Sequence, residues 1–510
     1  MNILKFKHLI TSFLIFAFLQ IPLKAETFQI THENYTINGI TKELYLSHKI
    51  SVSHNRIFES KEELEDYIQT IKQKMENLRL FEDIQIECMI SPSESDSPTP
   101  VFLEIKIVDS KSVIIVPYYK YKSKYGHVIT GVFRDSNFLG TLEPMQTELF
   151  LQMKNKKNGN GLDFTPGAEF TYNVPFFLGK VEASFINDYM IKYTIGSDIP
   201  EWDGTAGFKF ILPFENLGLE LQLLQKAANN TDYTIYNDAL YFSEIADFGV
   251  PIKVYANNVL GYVIYKPSVN FTYNWKPDSK ISIRNDDLLS PELLFSNSLQ
   301  FENVNWNGNL RKGISFCLKQ DAGYNFLIDK VVVGAETEFK GFFSNDFAGF
   351  YLRMYGFVYS NKNKRFEDRL RGVKDDDCYF ASSAFNDINA TSSSSALVFN
   401  FDFPIKIWTT DFEKMHMPIF KPLNFELQVI PFIDIALNKN RVTGRVFDLR
   451  DGFYTAGIEF IAYPLRWKSL CVRASAGIDL SRTLLKDVVD TSWRPNLSIY
   501  EISIGLGLFY

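Results

Sequence analysis

Few side chains in this sequence are spaced for chemistry. Asp375, Asp376 and Asp377 stand in a row, and carboxylate oxygens are the ligands that calcium prefers. A calcium loop spaces its oxygens so that they converge, which three adjacent carboxylates do not do, and a solvated loop is the better account of the run. Cys88, Cys317, Cys378 and Cys471 lie too far apart for a zinc or iron–sulfur set and are too few to staple so long a chain, so they read as isolated residues. No glycine-rich phosphate loop or G-x-S-x-G elbow stands out, and six scattered histidines imply no triad. These residues predict no enzyme, no cofactor and no metal site. The step Arg371-Gly372 offers something else: a guanidinium donates several directional hydrogen bonds, while glycine permits close backbone approach or a left-handed angle.

The elements that must position such residues begin with export. Lys5, Lys7 and His8 precede an apolar run from Leu9 to Leu23, the pattern of a secretory signal peptide over 1–25, cleaved after Ala25. An N-terminal membrane anchor is the alternative, and the absence of a cysteine after the run argues against a lipoprotein. No later stretch reaches the roughly 18 to 20 apolar residues of a spanning helix, so any further crossing of a membrane must use strands. Aromatic residues make up 15% of the chain, with 46 Phe and 26 Tyr, while charged residues still make up 22%. Alternating strands with one face in lipid and one in a hydrated lumen reconcile the two, as would a large soluble all-β protein. The formal net charge of −7 gives no basic surface for nucleic acid.

Residues 26–112 have their own rhythm. Ser60 and Glu63 form a capping box, and Leu64, Ile68, Ile71, Met75 and Leu78 then recur on one helical face, a packing stripe. Strands are predicted around Tyr35 to Ile40, over Phe81 to Glu87 and over Val101 to Val108, with a turn across Ser91 to Thr99. Together they predict a small α+β domain.

From Val113 onward period-two segments continue to the end. Leu397, Phe399, Phe401, Phe403, Ile405 and Ile407 oppose Asn400, Asp402 and Lys406, and Met145 to Lys154 and Phe350 to Tyr359 repeat the alternation. The run Thr391 to Ser395 reads as a flexible connection. In the last segment Tyr500, Ile502, Ile504, Leu506, Leu508 and Tyr510 share an apolar face opposite Glu501, Ser503, Gly505 and Gly507. Such a strand must join the first to remove both edges. At about 24 residues for a strand with its connection, residues 113–510 supply about sixteen strands of an antiparallel transmembrane β-barrel.

Three motifs give this layout a resemblance. Leu80-Phe81-Glu82-Asp83-Ile84 enters a strand after the capped helix, Asp135-Ser136-Asn137-Phe138-Leu139-Gly140 lies early in the barrel portion, and Leu370-Arg371-Gly372-Val373 lies late. The chain resembles, over nearly its whole mature length, the superfamily of outer-membrane barrels with periplasmic POTRA domains that includes BamA, TamA and two-partner secretion transporters. The resemblance implies one POTRA domain in the periplasm and a barrel in the bacterial outer membrane. It implies a role for Asp135, Asn137, Phe138 and Gly140 as an early-barrel motif, and for Leu370 to Val373 as the tip of a loop folded back into the barrel, although Val373 replaces the family's aromatic. Phe432-Ile433-Asp434 resembles the late-strand motif whose acid meets the loop arginine. Arg371 is thus expected to pair with Asp434, with Glu367, Asp368 and Glu426 as substitute partners. The implied function is assistance to β-rich clients entering or crossing the outer membrane, with lipid, unfolded clients and periplasmic accessory proteins as partners. A dedicated secretion pore and a structural or adhesive surface barrel are the alternatives.

Overall fold

The computed structural model describes residues 26–91, 98–122, 126–156, 161–257, 260–373, 390–494 and 499–508. Residues 1–25, where a signal peptide is expected, the triplet Asp375 to Asp377, Cys378 and Tyr510 lie outside these residues. The chain divides between Asp109 and Ser110 into two compact units.

The first unit is a four-stranded sheet with two helices. The strand Phe28–Asn38 runs parallel to Thr99–Asp109 at the centre, flanked by the short strand Ile57–Phe58 and by Phe81–Ile90. Thr99–Asp109 buries every second residue, Val101, Leu103, Ile105 and Ile107, against the helix Lys61–Leu78, which buries Leu64, Ile68, Ile71 and Met75. Ser60 caps that helix by accepting from the Glu63 N–H at 3.2 Å. The Glu63 carboxylate reaches back past the cap to the Glu59 N–H at 2.9 Å and also takes Arg56 at 2.7 Å. Those two bonds, Arg56 first, hold its pKa below the ordinary glutamate value. The alternation rule missed a short helix, Glu43–Ile50, and most of the first strand, because His32, Glu33 and Asn34 interrupt its apolar pattern.

The second unit is an antiparallel barrel, each strand paired with its neighbour in sequence. Among the described residues its segments make eighteen crossings, where about sixteen were expected. The discrepancy comes from turns far shorter than the average assumed: Gly179–Lys180 and Gly308–Asn309 join adjacent strands in two residues, with Gly179 and Gly308 left-handed. Three strands are interrupted, at Asn173, Pro251 and Pro404, and at the two prolines no N–H is available for the ladder. Connections alternate between the barrel's ends, so 276–291, 360–394, 439–452 and 480–499 lie opposite the end where the chain enters and leaves, while one long connection, 410–424, lies at that entry end. Leu149, Phe295, Val333, Phe343 and Ile433 stand exposed on the outer wall, whereas Asn400, Asp402, Glu426, Gln428, Asp434 and Glu459 are buried facing inward. That partition suits lipid outside, where a lysine or arginine costs about 2–4 kcal/mol at mid-bilayer and an acid somewhat less.

Two local expectations change. Thr391 to Ser395 is not a loose connection. Ser392–Ser393 pairs with Lys364–Arg365, and the Ser393 hydroxyl donates to the carbonyls of Lys439 and Ser395 at 2.7 and 2.9 Å. The closing strand spans Tyr500–Leu506, lies beside the first barrel strand Val113–Lys122, and keeps Ile502 exposed. Leu508 leaves the outward row of Ile502, Ile504 and Leu506: Gly507 turns left-handed at φ +88°, and Leu508 packs against the buried cluster of Ile430, Ile461, Tyr463 and Cys471.

Candidate functional site

The barrel's antiparallel register aligns one residue from each of its last five strands. Asp402 lies across from Phe432, Phe432 from Gly457, Gly457 from Gly477, and Gly477 from Glu501. The row thus reads acid, ring, glycine, glycine, acid along the inner wall. With no side chain on Gly457 or Gly477 it forms a trough floored by backbone, and a Cβ on Gly457 would stand 2.5 Å from the Phe432 ring.

Into this trough comes the arm of the longest connection. Phe366 is fully buried edge-on to Phe453, their centroids 5.8 Å apart, and a single 3-10 turn, Glu367–Arg369, follows. The Arg369 guanidinium lies 3.9 Å from the Tyr355 ring centroid, and its carbonyl accepts from the Asn400 amide at 2.8 Å. Leu370 and Val373 are buried among Tyr355, Phe357, Val398 and Ala436. Val373 fills its place as an aliphatic side chain in a core already rich in rings.

Arg371 is 5% exposed and sits 3.8 Å over the Phe432 ring. Its Nε and Nη2 donate to Asp434 at 3.0 and 2.7 Å, its backbone N–H donates to the same carboxylate at 2.9 Å, and Nη2 also donates to Asp402 at 2.6 Å. Burial opposes the guanidinium charge, but Asp402 and Asp434 more than offset it and hold the arginine pKa above its ordinary value. Gly372 then bends left-handed at φ +83° and lays its backbone on Gly477, where a Cβ would come within 3.2 Å of main-chain atoms. Its N–H donates to Glu501 of the closing strand at 2.8 Å. The loop therefore touches Asp402, Asp434, Gly477 and Glu501 within two of its own residues.

The other named residues lie elsewhere. Glu426 accepts from Gln428 at 2.9 Å and pairs with Lys406 at 2.6 Å; Asp368 pairs with Arg369 at 2.5 Å, and Glu367 accepts from Thr391 at 2.8 Å. Asp135 to Gly140 forms a tight turn at the entry end: Asp135 accepts from the Asn137 N–H at 3.0 Å, Asn137 from the Leu142 N–H at 2.8 Å, and Phe138 stacks edge-on to Tyr172. Asp402 and Glu501 were each legible as inward-facing residues, but their meeting with the loop was not. The root of the loop is also tied to its neighbours at that end: Arg365 pairs with Asp287 at 2.8 Å, and Asn363 and Arg441 share Asp286 at 2.9 and 3.0 Å.

The constellation holds a segment in place. Among the described residues no group of three or more His, Cys, Asp or Glu is placed to hold a metal. No family model and no curated protein matches the chain. Among solved structures it is similar to BamA from Haemophilus ducreyi lacking POTRA domains 1–3, with 11% identity over 94% of this chain and 85% of that chain and a TM-score of 0.39. It is also similar to CdiB from Acinetobacter baumannii, with 11% identity over 94% and 74% and a TM-score of 0.44, and to CdiB from Escherichia coli, with 10% identity over 95% and 77% and a TM-score of 0.47.

Proposed function

We propose that this chain is an outer-membrane transport protein of the POTRA-bearing barrel superfamily, working as a gated conduit for an exported polypeptide. The observation that carries the reading is the arginine-locked loop, which occupies the inner wall and is joined to the closing strand. A conduit needs a polar lumen and a removable plug. Inward-facing Asp321, Glu336, Glu338 and Arg353 supply the first, and the loop 360–373 is suited to the second. The first unit takes the periplasmic place in this reading. Its strand Phe81–Ile90 is an edge of the sheet, with Met89 and Ile90 exposed, and an extended client can add a strand there through backbone bonds. The early-barrel turn Asp135 to Gly140 serves as a structural corner.

Assistance to barrel insertion is the second reading. The closing strand has only seven residues, against sixteen continuous pairs between Glu292–Asn307 and Leu310–Asn325, and a short seam is the cheapest place to open a barrel wall. Depletion of the chain, followed early by quantitative proteomics of membranes and culture medium, separates the two. A conduit predicts loss of one or a few released proteins with other barrels unchanged. A broad fall in folded outer-membrane barrels would instead establish assembly, and no change in either would refute both.

A further inference from the structure

The connection 410–424, between the strands Ile405–Thr409 and Phe425–Asn438, lies at the barrel end that also holds the two-residue turns Gly179–Lys180 and Gly308–Asn309. It is long and carries a cluster of exposed apolar side chains: Met415, Ile419, Phe420 and Leu423 are all exposed, Ile419 at 82%. A surface connection is ordinarily polar, and a cluster of large exposed apolar side chains marks a binding surface. The segment is also built to hold these side chains out. A 3-10 turn, Pro418–Leu423, is stiffened by Pro418 and Pro422. Its base is pinned where Asn424 accepts from the Phe412 N–H at 3.0 Å and Thr410 accepts from the Phe425 N–H at 2.7 Å.

What covers the patch follows from what it joins. A register slip between Lys406 and Trp408 breaks the alternation, so the consecutive residues Ile407 and Trp408 are both exposed. Trp408 stands edge-on to Phe425, centroids 5.9 Å apart, so the rings at the two strand ends adjoin the connection. Lys414 and Lys421 flank it, side chains 86% and 62% exposed, each also paired with an acid of the same connection. Tryptophan, apolar side chains and adjacent lysines make up the composition of a segment lying in a lipid interface.

We propose that the connection 410–424 is an interfacial anchor that buries Ile419, Phe420 and Leu423 in the acyl boundary of the adjoining leaflet, with Lys414 and Lys421 at the level of the lipid phosphates. The inference rests on reading the barrel as membrane-spanning. Its test therefore carries a separate check of that reading.

Nitroxide labels are placed by Phe420→Cys, by Phe343→Cys on the outer wall and by Leu484→Cys on an exposed loop of the opposite end, in the full mature chain with Cys88, Cys317, Cys378 and Cys471 replaced by alanine. Each chain is reconstituted in phosphatidylethanolamine–phosphatidylglycerol vesicles, and collision with dissolved oxygen is compared with collision with a water-soluble nickel chelate. The expected result is a shift towards oxygen at 420 that matches the shift at 343, with 484 reading as water. If 343 is oxygen-rich and 420 is nickel-rich, the anchor is overturned and the barrel stands. Low collision with both reagents at 420 means that protein covers the patch, which also overturns it. A nickel-rich label at 343 removes the membrane reading and the anchor together.

Discussion

Replacing Arg371 by alanine is the sharpest test of the loop lock. The substitution removes three side-chain hydrogen bonds to Asp434 and Asp402 and the stacking on Phe432. It also leaves two carboxylates, 0% and 5% exposed, buried without their cation. Breaking one buried ion pair from one side costs about 3–5 kcal/mol, and at about 1.4 kcal/mol per tenfold the undocked loop should gain roughly three orders of magnitude in population. Because the barrel ladder is untouched, the loss is local to the loop. Hydrogen exchange of amides 364–373 in purified protein measures it, with single-channel conductance as a second readout. Asp434→Asn should cost more than Asp402→Asn, by about 1–3 kcal/mol, since Asp434 takes two side-chain bonds and one backbone bond where Asp402 takes one. A charge reversal, Arg371→Asp with Asp434→Arg, should recover little: the backbone N–H at 371 loses its acceptor, and Asp402 on the wall is left facing a new acid on the loop. If the effects of Arg371→Ala and Asp434→Asn simply add in the double variant while both proteins keep the barrel, the contact carries no energy and the reasoning fails.

Gly372→Ala should undock the same segment by about 1–2 kcal/mol from backbone strain alone, plus the collision with Gly477, whereas Gly444→Ala, also left-handed but with open space around it, should show only the strain; exchange rates of the two loops compare them. Glu501→Gln should weaken loop protection less than Arg371→Ala, by about 1 kcal/mol, because one bond to a charged acceptor becomes a neutral one. Ser60→Ala should lower the stability of the helix Lys61–Leu78 by about 1 kcal/mol, read from exchange of its first-turn amides. The pH dependence of that same helix end has a defined sign. The folded Glu63 carboxyl titrates below its unfolded value, so its contribution is present above the ordinary glutamate pKa and is lost as pH falls through the folded one. Glu63→Gln should therefore exchange faster than the parent at neutral pH and approach it in acid; an equal gap at all pH values would refute the linkage.

The parts of this fold that could be read from the sequence are those fixed by a short period. Leu397 to Asp402 and Phe425 to Ile435 alternate so strictly that the buried and outward faces follow from two residues at a time. The capped helix follows from Ser60, Glu63 and a stripe at intervals of three and four. What failed in the barrel was whatever depended on turn chemistry. Strands joined through Gly179 and Gly308 use far fewer connecting residues than the average that gave sixteen crossings. Gly507, a single left-handed residue, was enough to take Leu508 out of the outward row.

The site lies one level higher, and this explains why only part of it was legible. An Arg–Gly step and an inward aspartate can each be recognised alone, so Arg371, Gly372 and Asp434 could be named. Asp402 and Glu501 could also be placed on an inner face, but their relation to the loop depends on the register of four successive strand pairs, in which one slip would send each side chain to the opposite wall. The glycines show the same dependence. Gly457 and Gly477 look like weak points in their own strands, and only their adjacency across the ladder makes them a trough that admits backbone. That adjacency has a mechanical consequence. Because Arg371 is fixed to the strands holding Asp402 and Asp434, while Gly372, the very next residue, is fixed to the closing strand, the loop cannot leave the wall without releasing Glu501. Nor can the closing strand swing away without pulling on a backbone held by three charges.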